Sequence, residues 1–196
     1  MDSMVDVRRY PFLDLILGEE KTTPRIRPAL DSLYGKRFTA FPVRLREELV
    51  SYTQVGGALL VSGSYVGSDL FATLPSDSSG LRFARQVLKC NWVTDHASRT
   101  GNVQPAAPGF LPPATSMTFC TELNDRMYAV ESPDALAPVK EGATLLRYAE
   151  NNFGAATVYS GAYGVIVMGF PFESVIGQET RDMLMKGVLG ALGMKE

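Results

Sequence analysis

Histidine is almost missing from this chain: His96 is the only one among 196 residues. Histidine is the usual general base near neutral pH and the commonest nitrogen ligand for metals, so its scarcity removes most serine-hydrolase and metal-hydrolase designs. Cysteine is nearly as rare. Cys90 and Cys120 form no pair at metal-ligand spacing, and they read either as separate buried thiols or as one disulfide. No block of like charge occurs. The 19 basic and 21 acidic residues leave a net charge of −2, without the basic footprint of a nucleic-acid binder. No apolar run approaches the roughly 18 residues of a membrane span, and the opening MDSMVDVRRY does not read as a signal peptide. Neither an internal repeat nor a low-complexity segment is visible. No metal or cofactor is expected.

The 45% hydrophobic content is that of a globular protein, and a chain of this length buries roughly 70% of its unfolded surface. One domain over residues 1–196 is expected. The apolar run from Phe12 to Leu17 stops at Gly18 and reads as a buried strand. Pro42 opens a helical pattern with Leu45, Leu49 and Tyr52 on one face, ended by Gly56 and Gly57. Residues 58–61 (Ala-Leu-Leu-Val) follow as a central parallel strand, completing a βαβ unit. Ser78 or Ser79 is the expected cap of the next helix. Residues 91–138, rich in Pro, Gly, Ser and Thr, read as an irregular excursion with β-like runs at 116–121 and 127–130. Strands at 143–148, 155–159 and 165–168 close the sheet, the last two as an antiparallel hairpin, before a final helix. The expected fold is therefore α/β: a doubly wound, mostly parallel sheet with helices on both faces. Residues 1–11 are too short to supply the first β-α unit usual in that architecture.

In such a sheet, ligands bind beyond the carboxyl ends of the strands. Three polar clusters fall there: Glu19 and Glu20; Ser62, Ser64, Tyr65 and Asp69; and Glu173. Together they are the expected ligand-binding rim. Each also has an ordinary reading, as solvated loop carboxylates, a helix-capping turn or a locally bonded side chain. No catalytic residue is assigned. A G-x-S-x-G elbow would put serine midway between two glycines, whereas Gly63 and Gly67 place Tyr65 there, and His96 lies outside the clusters. Paired carboxylates from Glu19, Glu20, Asp69 and Glu173 are the one enzymatic alternative, acting as acid and base on a glycosidic bond.

The stretches Leu17-Gly18-Glu19-Glu20, Leu60-Val61-Ser62-Gly63-Ser64 and Gly169-Phe170-Pro171-Phe172-Glu173 resemble a bacterial group called putative xanthan lyase, within the class I glutamine amidotransferase-like, flavodoxin-like fold. The resemblance covers most of residues 12–193. It implies an extracytoplasmic protein that handles polysaccharide or cell-envelope material, with carbohydrate or another module of the parent protein as partner. The family's catalytic cysteine would fall within residues 62–65 and its histidine at Phe170, and both are missing. Without thiolate and base, glutamine hydrolysis has no mechanism. The resemblance therefore implies a non-catalytic module that binds a small polar ligand or partner at the rim. The alternatives are a polysaccharide-degrading enzyme using rim carboxylates, or a structural or interaction domain presenting an apolar patch near residues 105–113.

Overall fold

Nine strands and four α-helices are found in the computed structural model, which describes residues 5–23, 38–72, 77–112 and 114–194. The start of the N-terminal stretch, most of the Pro-containing segment before Pro42, and Pro113 lie outside the described residues. The first βαβ unit forms as the hydrophobic pattern predicts. Strand β1 (Phe12–Gly18) leads to helix α1 (Val43–Gln54), which returns to β2 (Ala58–Gly63), and the two strands pair in parallel. Leu49 and Tyr52 of α1 are buried, as the helical stripe requires. Helices α2 (Val66–Phe71) and α3 (Ser78–Gln86) follow. The cap of α3 is Asp77 and neither serine: its carboxylate accepts from the Ser79 N–H at 2.9 Å, and Arg46 anchors it at 2.8 Å.

The remainder departs from the expected architecture. The strands β3 (Cys90–Thr94), β4 (Asn102–Pro105), β5 (Met117–Thr118), β6 (Ala135–Pro138), β7 (Ala143–Tyr148), β8 (Gly154–Ser160) and β9 (Gly164–Met168) form two sheets. The large sheet has the order β1-β2-β9-β8-β7-β4-β5, and β3 pairs with β6 beside it. Only β1, β2 and β9 run parallel; every other pairing in the large sheet is antiparallel. The fold is a mixed seven-stranded sheet curled into a half-barrel, with more strand than helix. A doubly wound parallel sheet is thereby ruled out. The physical reason lies in the connections: 149–153 and 161–163 are hairpin loops, far shorter than the crossover a parallel neighbour needs. The excursion over 91–138 supplies β4 and β5 to the main sheet, and 127–130 is irregular apart from one bridge between Asn124 and Met127.

Alternation along the central strands divides the core in two. Ala58, Leu60, Ile166 and Met168 face one layer, shared with Leu184 and Val188 of helix α4 (Gln178–Ala191). Leu59, Val61, Val165 and Val167 face the other, under α1, α2 and α3. Phe170 belongs to the first layer, stacked on Phe119 with ring centroids 4.9 Å apart. Cys90 and Cys120 are both buried free thiols, and burial pushes the Cys90 thiol up to about 12.

Candidate functional site

Strands β1 and β2 end side by side, and their parallel register brings the first two polar clusters together. Gly18 turns the chain with φ +56°, and its carbonyl accepts from the Ser64 N–H at 2.9 Å. Glu19 then reaches across. Its Oε1 accepts from the Ser64 hydroxyl at 3.0 Å and from the Glu131 N–H at 3.1 Å. The Tyr65 ring lies beneath Lys21, whose Nζ is 4.4 Å from its centroid. The Tyr65 hydroxyl is held protonated beyond its usual range, first by burial and then by the Glu19 charge.

The third cluster arrives from the end of β9. Pro171 leads into a 3-10 turn (Phe172–Ser174) that carries Glu173 back over β1. Glu173 Oε1 accepts from the Tyr128 hydroxyl at 2.6 Å, while its Oε2 is buried with no hydrogen-bond partner. Burial and this bond hold the Tyr128 proton in place far beyond neutral pH. A side chain at Gly18 would begin 3.3 Å from the Tyr128 hydroxyl and 3.4 Å from Glu173 Oε1. Glycine at this position therefore does two things: it permits the left-handed turn and lets Tyr128 and Glu173 pack close against the backbone. Asp14, on the same edge strand, has its carboxyl pushed up to about 6, by burial first and by the nearby Glu173 charge second. Much of its side chain is still solvated, so that shift contributes little to stability.

Ser62 lies on the same face of the sheet as Asp14, opposite Ile16 on one side and Met168 on the other. It is fully buried and its hydroxyl has no partner. An unsatisfied buried hydroxyl costs roughly 1–3 kcal/mol. Ser62→Ala is therefore expected to raise stability by about 1 kcal/mol, read as an increase in the urea midpoint; a lowered midpoint would show that the hydroxyl is satisfied after all.

The expected rim is thus partly assembled. Glu19, Ser64 and Tyr65 meet, and Glu173 joins them around Gly18. Asp69 does not join them: it is buried and accepts from the Thr22 N–H at 2.7 Å and the Thr22 hydroxyl at 2.9 Å, which ties the segment after β1 to α2. Glu20 is exposed. Of the four carboxylates considered for acid–base work, two are therefore used elsewhere or turned to solvent. His96 stands at the outer border, exposed, with Nδ1 3.3 Å from the Glu131 carbonyl.

Sequence reasoning missed Asp14, Tyr128, Glu131 and Asp134. Asp14 left a trace, as the one charged residue inside the Phe12–Gly18 strand. The other three come from the excursion, whose path only long-range pairing decides. Asp134 lies below the rim and is buried there. Its Oδ2 accepts from the Gly67 and Ser68 N–H groups at 2.7 and 2.9 Å, and its Oδ1 from the Trp92 indole at 2.9 Å. Burial outweighs those bonds and raises its carboxyl to about 7.

A concavity of about 1000 Å³ lies between α4, β7, β8 and the loop 107–112. Apolar groups (Phe110, Leu111, Leu145, Met183) share its lining with Glu141, Glu179, Asp182 and Lys186.

Fold and site together define a curled mixed-sheet domain with a polar corner at the end of its short parallel segment. No family model matches the chain, and no curated protein matches it. Among solved structures it is similar to one titled "mmIFT52 N-terminal domain", with a TM-score of 0.57 and 13% identity, over 100% of this chain and 83% of that one. It is also matched to the exo-beta-1,4-mannosidase Op5Man5 from Opitutaceae bacterium strain TAV5. That match has a TM-score of 0.44 and 12% identity, over 76% of this chain and 22% of the mannosidase. The first likeness shows a shared fold, and the second is too remote to carry an argument. These findings overturn the resemblance to class I glutamine amidotransferases and to the putative xanthan lyase group. The three short stretches that carried it occur here on a mixed sheet, and Phe170, set against the family histidine, is an interior aromatic stacked on Phe119.

Proposed function

We propose that this chain is a binding module without chemistry of its own, holding a small polar ligand at the corner between Gly18, Glu19, Ser64, Tyr128 and Glu173. The observation that supports it is Glu173. One of its oxygens is engaged by Tyr128, and the other is buried without a donor. A ligand that supplies a hydrogen-bond donor there recovers a desolvation cost of roughly 1–3 kcal/mol. Sugars offer such donors in quantity, so a carbohydrate unit is the first class to test. Titrating isotopically labelled protein with glucose, mannose and glucosamine, while following amide chemical shifts, tests the reading. Shifts are expected at Gly18, Glu19, Ser64 and Glu131. If none of these amides moves with any of the three sugars, the corner is not a sugar-binding site.

A second reading, an interaction module, draws support from the groove along α4. The loop over 107–112, where an apolar patch was expected, forms one of its walls. In that case a partner protects the amides of α4 from hydrogen exchange and leaves the Gly18 corner unchanged.

A further inference from the structure

The groove along α4 has two independent features, its shape and its charge. The loop over 107–112 touches the helix at Gly187, where an added Cβ would come within 2.8 Å of Leu111 Cδ2 and 2.9 Å of the Phe110 carbonyl oxygen. Away from that contact the walls part: at Gly190 on the helix, and at Gly109 on the loop, a Cβ would meet nothing within 4 Å. Half-buried Ala107, Val158, Met183 and Ala191 line the concavity and also pack on the first core layer. Apolar groups held in place with room for another chain beside them are what a docking segment covers. Helix α4 lines the groove from Glu179 to Ala191, twelve residues later, a length of about 18 Å. An extended chain of about five or six residues covers that distance.

The charge narrows what that chain carries. Four charged side chains line the groove, Glu141, Glu179, Asp182 and Lys186, and all four are exposed. Among the described residues none of them forms an ion pair, so the three carboxylates exceed the one ammonium. Glu179 and Asp182 lie near the start of α4, where acidic groups suit the helix dipole. Glu141 sits just ahead of β7, on no helix, and that reason does not cover it. Complementary charge across an interface selects the partner and speeds encounter. Resting on the interaction reading above, we infer that this groove receives an extended peptide segment in which lysine or arginine alternates with apolar side chains.

The test uses the intact chain and three capped hexapeptides, alternating valine with lysine, valine with glutamate, and serine with lysine, each followed by amide shifts. The valine–lysine peptide is expected to move the amides of Gly109, Leu145, Val158 and Gly190 and to bind at least tenfold more tightly than either of the others. Changing Glu179→Gln and Asp182→Asn together is expected to weaken it at least tenfold at low salt. Gly190→Phe, which projects into open space, is expected to abolish binding. Should a variant fail to fold, the comparison of the three peptides on the unaltered chain decides by itself. Equal binding of the valine–glutamate peptide would overturn the charge assignment and leave the groove reading standing. A chain that sediments as a dimer, and as a monomer once Gly190→Phe fills the groove, would place a second copy there and overturn the peptide assignment. If none of the three peptides moves the amides of α4 and the chain sediments as a monomer, both the inference and the interaction reading are overturned.

Discussion

Asp134→Ala is expected to lower the unfolding free energy by about 4 kcal/mol, because the donors that converge on its carboxylate lose their acceptor at once. The Gly67 and Ser68 amides and the Trp92 indole all converge on this carboxylate, and it is buried. Two of these bonds hold the first turn of α2 and the third holds the small sheet through β3, while the backbone carbonyl of Asp134 separately ties in the main sheet by accepting from the buried Tyr148 hydroxyl at 2.7 Å. Asp134→Asn retains one acceptor oxygen and should cost about half as much. The pH dependence has a defined sign. The folded-state value is about 7 and the unfolded value 3.8, so between them the folded chain keeps a proton that the unfolded chain has released. The stabilisation linked to this proton is complete below about pH 4 and is lost as pH rises through 7. It is on the order of 2–4 kcal/mol. Asparagine does not titrate, so the stability gap between the native chain and Asp134→Asn should narrow from pH 4.5 to 7.5. Urea unfolding at both pH values checks this; a gap that stays constant would mean that Asp134 does not titrate in this range.

Gly169→Ala should be comparably damaging, for a steric reason. A Cβ at this position would collide with the backbone carbonyl oxygen of Asp134, and backbone cannot swing aside as a side chain can. The two backbones are bonded together there, with the Asp134 N–H donating to the Gly169 carbonyl at 2.7 Å, while the Gly169 N–H donates to Ala155 at 2.9 Å. An added methyl group must break that pairing or displace β9. The expected loss is about 3 kcal/mol or more, seen as a lowered thermal midpoint or as insoluble protein. An alanine variant of unchanged stability would show that the small sheet does not lie directly on the main sheet at this point.

These two sites show where reading the chain stopped. The pattern from Phe12 to Val61 was legible because it is local: an apolar run, a helix with one buried stripe, glycines at its end, a second apolar run. The hairpin of β8 and β9 was legible for the same reason, since three residues cannot hold a crossover. Sheet order was not legible. Whether the excursion folds outside the sheet or joins it depends on pairings such as Val103 with Tyr148, which leave no local mark. The parallel expectation came from extending the first βαβ unit to the whole chain, and the antiparallel pairings of β8, β7, β4 and β5 overturn it.

The same division runs through the site. Glu19, Ser64, Tyr65 and Glu173 could be nominated from the sequence because strand ends and glycine turns are visible there. The absence of a cysteine or histidine at the strand ends is likewise a fact of the sequence alone. What only the tertiary structure decided is which of these residues meet: Tyr128 reaching Glu173, Glu19 reaching Ser64, and Asp69 turned away to hold Thr22. Periodicity records which face of an element is buried, whereas a site depends on which elements become neighbours, and that is set by packing across the whole chain.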